Sequence, residues 1–179
     1  DIACDQRVAV LPRGAGTSQC GQPVGEALVI DNSKALNEIL EFDEEARTAW
    51  VEPGIVLDQL NTWLKPYGLW FPVDVTTSAQ ATIGGMTGNN SCGARSIHYG
   101  NMVHNVLAVE ALLTSGDSVR LGEEMVTSGR AGELAGFVRT LYEREREEIE
   151  LKIPKLLRRV AGYNLDMADS DAFNPASVF

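Results

Sequence analysis

Short apolar blocks separated by glycine, proline and polar turns fill the first two thirds of the chain, and one long helical repeat dominates the last third. Arg7 to Leu11 (RVAVL) reads as a buried strand that runs straight into a glycine-rich turn, with little chain upstream to pair with it. Ala27 to Asp31 (ALVID) is a second apolar run; Ser33 follows as a helix N-cap candidate for the turn Lys34 to Leu40. Thr48 to Val51 predicts a third strand, ended by Pro53-Gly54. From Ile55 to Leu64 the apolar positions fall at helical spacing, and Gly68 after Pro66 is a natural stop, so this stretch predicts an amphipathic helix. Periodicity alone leaves Val106 to Leu113 between helix and strand, but the turn residues Ser115-Gly116-Asp117 and the run Ser118 to Leu121 favour a hairpin. Leu134 to Ile153 is the longest helical pattern, with Arg144–Glu148 and Glu148–Lys152 at the four-residue spacing and Pro154 as its breaker. Its EREREEIE stretch reads as a solvated face.

The 179 residues, 44% of them hydrophobic, suffice for one core-bearing domain or two small lobes of one. A net charge of −10 argues against nucleic acid or an anionic membrane surface as partner. An anionic ligand would have to be held by local backbone N–H groups. Cys4, Cys20 and Cys92 are odd in number, widely spaced and without a Cys-x-x-Cys pair, which argues against a disulfide framework or a metal site and fits a reducing compartment. No stretch approaches the ~18 apolar residues of a membrane span, and the N-terminus lacks a secretory pattern. The expectation is a cytoplasmic protein without a transmembrane segment. Because the chain opens on a strand and stops at Phe179 without a terminating signal, it reads as truncated at both ends.

Two segments carry chemistry. Pro12 to Gly25 (PRGAGTSQCGQPVG) places Gly14, Gly16, Gly21 and Gly25 among hydroxyl residues just after a strand, where successive N–H groups can converge on a phosphate. It has neither the Lys-Ser/Thr ending of a P-loop nor a Gly-x-Gly-x-x-Gly that opens a helix. Ala81 to Gly100 (ATIGGMTGNNSCGARSIHYG) is a second such cluster. Two phosphate-type loops suggest a diphosphate. Between them lies Trp70-Phe71-Pro72-Val73-Asp74, where core packing is the plainer role for Trp70 and Phe71.

The ordered blocks PRGAGTS, ALVID, WVEPGIVLDQLNTWLKPYGLWFPVD, ATIGGMTGNNSCGARSIHYG and HNVLAVEALLTSGD closely resemble the PCMH-type FAD-binding domain of the vanillyl-alcohol oxidase superfamily. That family of FAD-linked oxidases and dehydrogenases includes D-lactate, glycolate and D-2-hydroxyglutarate dehydrogenases. The similarity is strongest over residues 8–122, and residues 134–160 form a helical segment leading onward. The resemblance implies an α+β fold of two lobes with FAD between them. Its implied cofactor residues are Gly14, Ala15, Gly16, Thr17 and Ser18, with Gly21 close behind, then Pro72, Asp74 and Thr77, then Thr82, Gly84, Gly85, Asn89, Ser91 and Gly93. Ala15 stands in a loop where some relatives carry a flavin-linked histidine, and no histidine precedes His98 in the second loop, so noncovalent FAD is expected. Cys92 reads as a small buried thiol.

In such relatives a 2-hydroxy acid gives up a hydride to the flavin, and the substrate-binding and proton-accepting groups belong to a cap region without counterpart here. No catalytic residue is therefore assigned; His98 lacks a carboxylate at useful spacing, and no metal site is expected. The parent is expected to be a dehydrogenase of D-2-hydroxy acids with the electron acceptor left open, and this piece alone is expected to be inactive. A sugar or alditol oxidase, a reductase of cell-wall precursors, and a non-catalytic module for another phosphorylated ligand stand as alternatives.

Overall fold

The computed structural model describes residues 2–122, 128–169 and 173–178. The chain divides into two compact units, Asp1–Met86 and Thr87–Phe179. After a short helix α1 (Ile2–Asp5), the first unit holds strands β1 (Val10–Arg13), β2 (Leu28–Asp31), β3 (Ile39–Asp43) and β4 (Thr48–Val51) and helix α2 (Leu57–Leu64). Helix α3 (Ile83–Gly88) begins in this unit. The second unit contains α4 (Ser96–Tyr99), the strands β5 (Ala108–Leu112) and β6 (Ser118–Gly122), and the long helix α5 (Gly129–Lys152).

β1 and β2 pair in parallel, from Val10 opposite Leu28 to Arg13 opposite Asp31. A parallel pair obliges the connection to travel back along the full strand length. Residues 14–27 do this as an irregular glycine-rich segment in place of a helix. The expected strand at Arg7 to Leu11 is thus displaced toward the glycine turn and has a partner. It is also not buried: Val8 and Val10 are 46% and 45% exposed, because an apolar run favours extended backbone without saying what covers it.

The turn after β2 differs from expectation as well. Asp31, not Ser33, is the cap: its Oδ1 accepts from the Ser33 N–H (3.1 Å) and hydroxyl (2.6 Å), and only Asn32–Lys34 forms a 3-10 turn. The remainder of the expected Lys34–Leu40 turn gives way to β3, which pairs antiparallel with β4 and went unrecognised in the sequence. These Ser33 hydrogen bonds, chiefly, and the Arg13 guanidinium 3.6 Å away hold the Asp31 carboxyl below its ordinary value of 3.8, against partial burial that pushes it up. A depressed carboxylate contributes stability above its unfolded value and loses it as pH falls through the folded value. Asp31→Asn is therefore expected to make the melting temperature fall less steeply with pH below the ordinary carboxylate range. An unchanged slope in a pH series of thermal melts would refute this role.

α2 begins two residues later than its pattern suggests, because Val56 is extended and bridges Thr82. The helix buries Leu57, Leu60 and Leu64, and Ile55, Val73, Ala81, Ile83 and Met86 are the other buried apolar residues of the first unit; an aliphatic side chain of this size is worth about 1.5–3 kcal/mol when fully buried. It has no side-chain N-cap; instead the N–H groups of Leu57 and Asp58 donate to the carbonyls of Ala81 and Ser78. The Gly68 stop is present, with a left-handed φ of 68°.

In the second unit β5 and β6 form the expected antiparallel hairpin. α5 buries Ala135, Tyr142 and Ile149, seven residues apart, against Ala168, Phe173 and Val178, and its charged stretch faces solvent. The Lys152–Glu148 pair forms at 2.7 Å, but Arg144 pairs with neighbouring Glu145 at 2.6 Å instead of Glu148. Both are exposed pairs of small energetic weight. No helix among the described residues is long and apolar enough to cross a membrane.

Candidate functional site

In the first unit, the stretch Pro53–Leu57 acts as a template for residues 81–84. The Leu57 N–H donates to the Ala81 carbonyl (3.0 Å), the Ile83 N–H to Ile55 (3.0 Å) and the Gly84 N–H to Pro53 (2.8 Å). Gly84 fits there because it has no side chain: a Cβ would lie 2.5 Å from the Pro53 Cβ. These bonds fix Thr82, which is 2% exposed. No described residue offers its Oγ1 a hydrogen-bond partner.

That hydroxyl faces Gly14 of the first glycine-rich segment. A Cβ on Gly14 would collide with Thr82 Oγ1, and one on Gly85 would lie 3.1 Å from it. Two sequence-predicted clusters thus meet around one orphaned donor. A buried hydroxyl left unpaired costs about 1–3 kcal/mol. A ligand oxygen that accepts from it removes this cost, and a charged phosphate oxygen is a strong acceptor. On this ground the residues present fit the diphosphate of FAD.

The remaining first-segment candidates, Ala15, Gly16, Thr17, Ser18 and Gly21, are exposed. Gly16 and Gly21 hold φ of 69° and 90°, and the Ser18 hydroxyl donates to Gln22 Oε1 at 2.7 Å. Pro72 and Asp74 are half-buried on either side of fully buried Val73. The Phe71 N–H donates to Asn61 Oδ1 (2.7 Å), which ties this segment to α2. Thr77 is exposed, and its carbonyl accepts from the N–H groups of Gln80 and Ala81.

The second segment is not one continuous loop, as its glycines suggest. Ile83–Gly88 is helical because Ile83 and Met86, three residues apart, are both buried. The irregular part begins at Asn89 and belongs to the second unit. There Asn89 Nδ2 donates to the Ser91 hydroxyl (3.3 Å), and the Gly93 N–H donates to Ser96 Oγ (3.0 Å). The Gly93 N–H is therefore already engaged within the loop. His98 packs edge-on against Tyr99, and His104 Nδ1 accepts from the Asn101 N–H at 3.0 Å. Neither geometry marks a catalytic base.

Residues not anticipated from sequence are Asn90, Asn101 and Asn164, all at most 3% exposed, together with Arg159. The signal available was Asn90 itself, since Asn is among the few residues that adopt the left-handed φ of 45° found there. Among the described residues no three His, Cys, Asp or Glu side chains gather as a metal site requires.

The FAD binding domain family matches residues 1–122. D-2-hydroxyglutarate dehydrogenases of Pseudomonas putida and Escherichia coli are 38% and 36% identical over 89% and 92% of this chain, which spans 17% of the length of each. A glycolate oxidase subunit of Bacillus subtilis is 36% identical over 76% of the chain and 28% of its own length. Among solved structures, a 6-hydroxy-D-nicotine oxidase of Arthrobacter nicotinovorans superposes with a TM-score of 0.62 at 20% identity, over 74% of this chain and 28% of that one. At that identity the likeness speaks for the fold alone, a mixed α+β arrangement. The chain belongs to the FAD-binding domain family of FAD-linked oxidases and dehydrogenases.

Proposed function

We propose that this chain is the cofactor-binding part of a dehydrogenase that oxidises a D-2-hydroxy acid, with FAD held noncovalently. The observation that carries the cofactor reading is the orphaned Thr82 hydroxyl walled by Gly14 and Gly85. The substrate class rests on the dehydrogenases and oxidase subunit that the chain resembles. When bound, FAD supplies the hydride acceptor. The chain's own residues bind and orient. Thr82 donates to a diphosphate oxygen, and the N–H groups of Gly14 to Ser18 with Gly21 line the same ligand group. Pro72, Asp74 and Thr77 flank the cofactor, and Gly84 and Gly85 lie beside Thr82 in the segment that approaches it. Asn89, Ser91 and Gly93 are further candidate cofactor residues. The groups that bind the substrate carboxylate and take its hydroxyl proton belong to sequence beyond this chain.

Ala15, which offers no nucleophile, supports noncovalent attachment. The odd number and wide spacing of Cys4, Cys20 and Cys92 support a cytoplasmic parent. Two measurements on the full-length protein test the reading. Denaturation is expected to release all flavin into the supernatant; flavin that stays on the polypeptide contradicts noncovalent binding. Without oxygen, a D-2-hydroxy acid such as D-2-hydroxyglutarate or D-lactate is expected to bleach the flavin absorbance. Bleaching by sugars or alditols alone would overturn the substrate class.

A further inference from the structure

A network of buried amides joins the irregular part of the second glycine-rich segment to a stretch 69 residues later. Asn90, between candidate cofactor residues Asn89 and Ser91, is 2% exposed. Its Nδ2 donates to the Arg159 carbonyl (3.2 Å) and to Asn164 Oδ1 (3.1 Å), and its Oδ1 accepts from the Val103 N–H (3.1 Å). Asn101 Nδ2 donates to the same Arg159 carbonyl at 3.1 Å. The Arg159 guanidinium grips both Asp166 oxygens, at 2.8 and 2.6 Å, and its Nη2 donates to Asn164 Oδ1 at 3.0 Å. The Asn164 N–H donates to the Val178 carbonyl at 2.8 Å, which ties the stretch to the C-terminal 3-10 turn. Between these anchors Gly162 presses on the Gly88 carbonyl, where a Cβ would come within 2.6 Å.

We propose that Arg159 to Asp166 is a positioning strap for the cofactor loop, with Arg159 and Asn164 setting the conformation in which Asn89, Ser91 and Gly93 meet FAD. The inference rests on the reading that those three residues contact FAD, and it extends the cofactor machinery beyond residues 1–122 matched by the family. The physical reason is preorganisation. Asn90 holds a left-handed backbone that most residues resist, and its side-chain N–H groups find their acceptors on the strap. Without them the loop samples other conformations, and FAD must restore the bound one at the expense of affinity. Asn164 contributes as an acceptor: its Oδ1 takes two hydrogen bonds, while its Nδ2 has no partner among the described residues.

The test is FAD titration of the full-length protein, followed by flavin fluorescence at a temperature where circular dichroism shows every variant folded. Asn164→Leu removes the acceptor at similar volume and is expected to weaken FAD binding about tenfold or more. Asn164→Asp keeps the acceptor beside the Arg159 guanidinium and is expected to bind within about threefold of wild type, within the scatter of a conservative change. Arg158→Ala, on the exposed neighbour, serves as control. If Asn164→Leu does not fold, Arg159→Lys carries the same prediction, because it loses the two-pronged grip on Asp166. A lowered melting temperature with unchanged FAD affinity in these variants would overturn the proposal, as would equal weakening by Asn164→Asp. Failure of the wild type to bind FAD would instead overturn the cofactor reading itself.

Discussion

Thr82→Val is expected to make the FAD-free protein more stable and, at the same time, to weaken FAD binding roughly ten- to a hundredfold. Both effects come from one atom. Thr82 Oγ1 is buried without a partner, and valine keeps the branched shape while removing the hydroxyl, so up to about 1–3 kcal/mol of desolvation cost is relieved. A hydrogen bond from that hydroxyl to a charged phosphate oxygen is worth about 1.5–3 kcal/mol, which converts to the stated loss of affinity. Stability and affinity moving in opposite directions is the signature of a group retained for binding. Thermal melts without FAD and a fluorescence titration with it read the two effects separately. A destabilised variant with unchanged affinity would assign Thr82 to packing alone.

Gly14→Ala should reduce both properties. Its Cβ would overlap Thr82 Oγ1 and lie 3.3 Å from the Thr82 Cβ. Thr82 cannot retreat, because it bridges Val56 and its successor Ile83 is hydrogen-bonded to Ile55. The glycine-rich segment must move instead, at an overpacking cost of about 1–3 kcal/mol. Displacing Gly14 to Ser18 together is expected to lower FAD affinity by at least tenfold. Thr82→Ala in the Gly14→Ala background removes the colliding hydroxyl and should recover most of the stability without recovering affinity. Such a departure from additivity is expected for side chains in contact. Additive losses in the double variant would show that the collision is not the cause.

What the sequence made legible and what it hid divide by range. Gly14, Gly16 and Gly21 stand out by spacing, and the structure gives positive φ to the latter two and a close approach to the first. The hairpin and α5 were legible because their turn residues and apolar stripe are local. β3 was not, since Ile39 to Asp43 (ILEFD) is short and follows a polar turn that reads equally as a helix start. Gly84, Gly85 and Gly88 argued against helix by propensity, yet burial of Ile83 and Met86 overrides it in α3. The Arg144–Glu148 spacing is favourable, but at an exposed position nearby Glu145 competes on equal terms. The asparagine network was invisible for a different reason: Asn90 and Asn164, 74 residues apart, each look like ordinary loop residues until the fold brings them together.

The central claim is that this chain holds the diphosphate of FAD through Thr82 and the segment that begins at Gly14. Calorimetric titration of the full-length protein with FAD, with FMN as the ligand lacking the diphosphate bridge and ADP as competitor, tests it most directly. Saturable binding that prefers FAD over FMN, is competed by ADP and is weakened at least tenfold in Thr82→Val is the predicted result. Equal affinity for FMN, or an FAD affinity untouched by Thr82→Val, would contradict it.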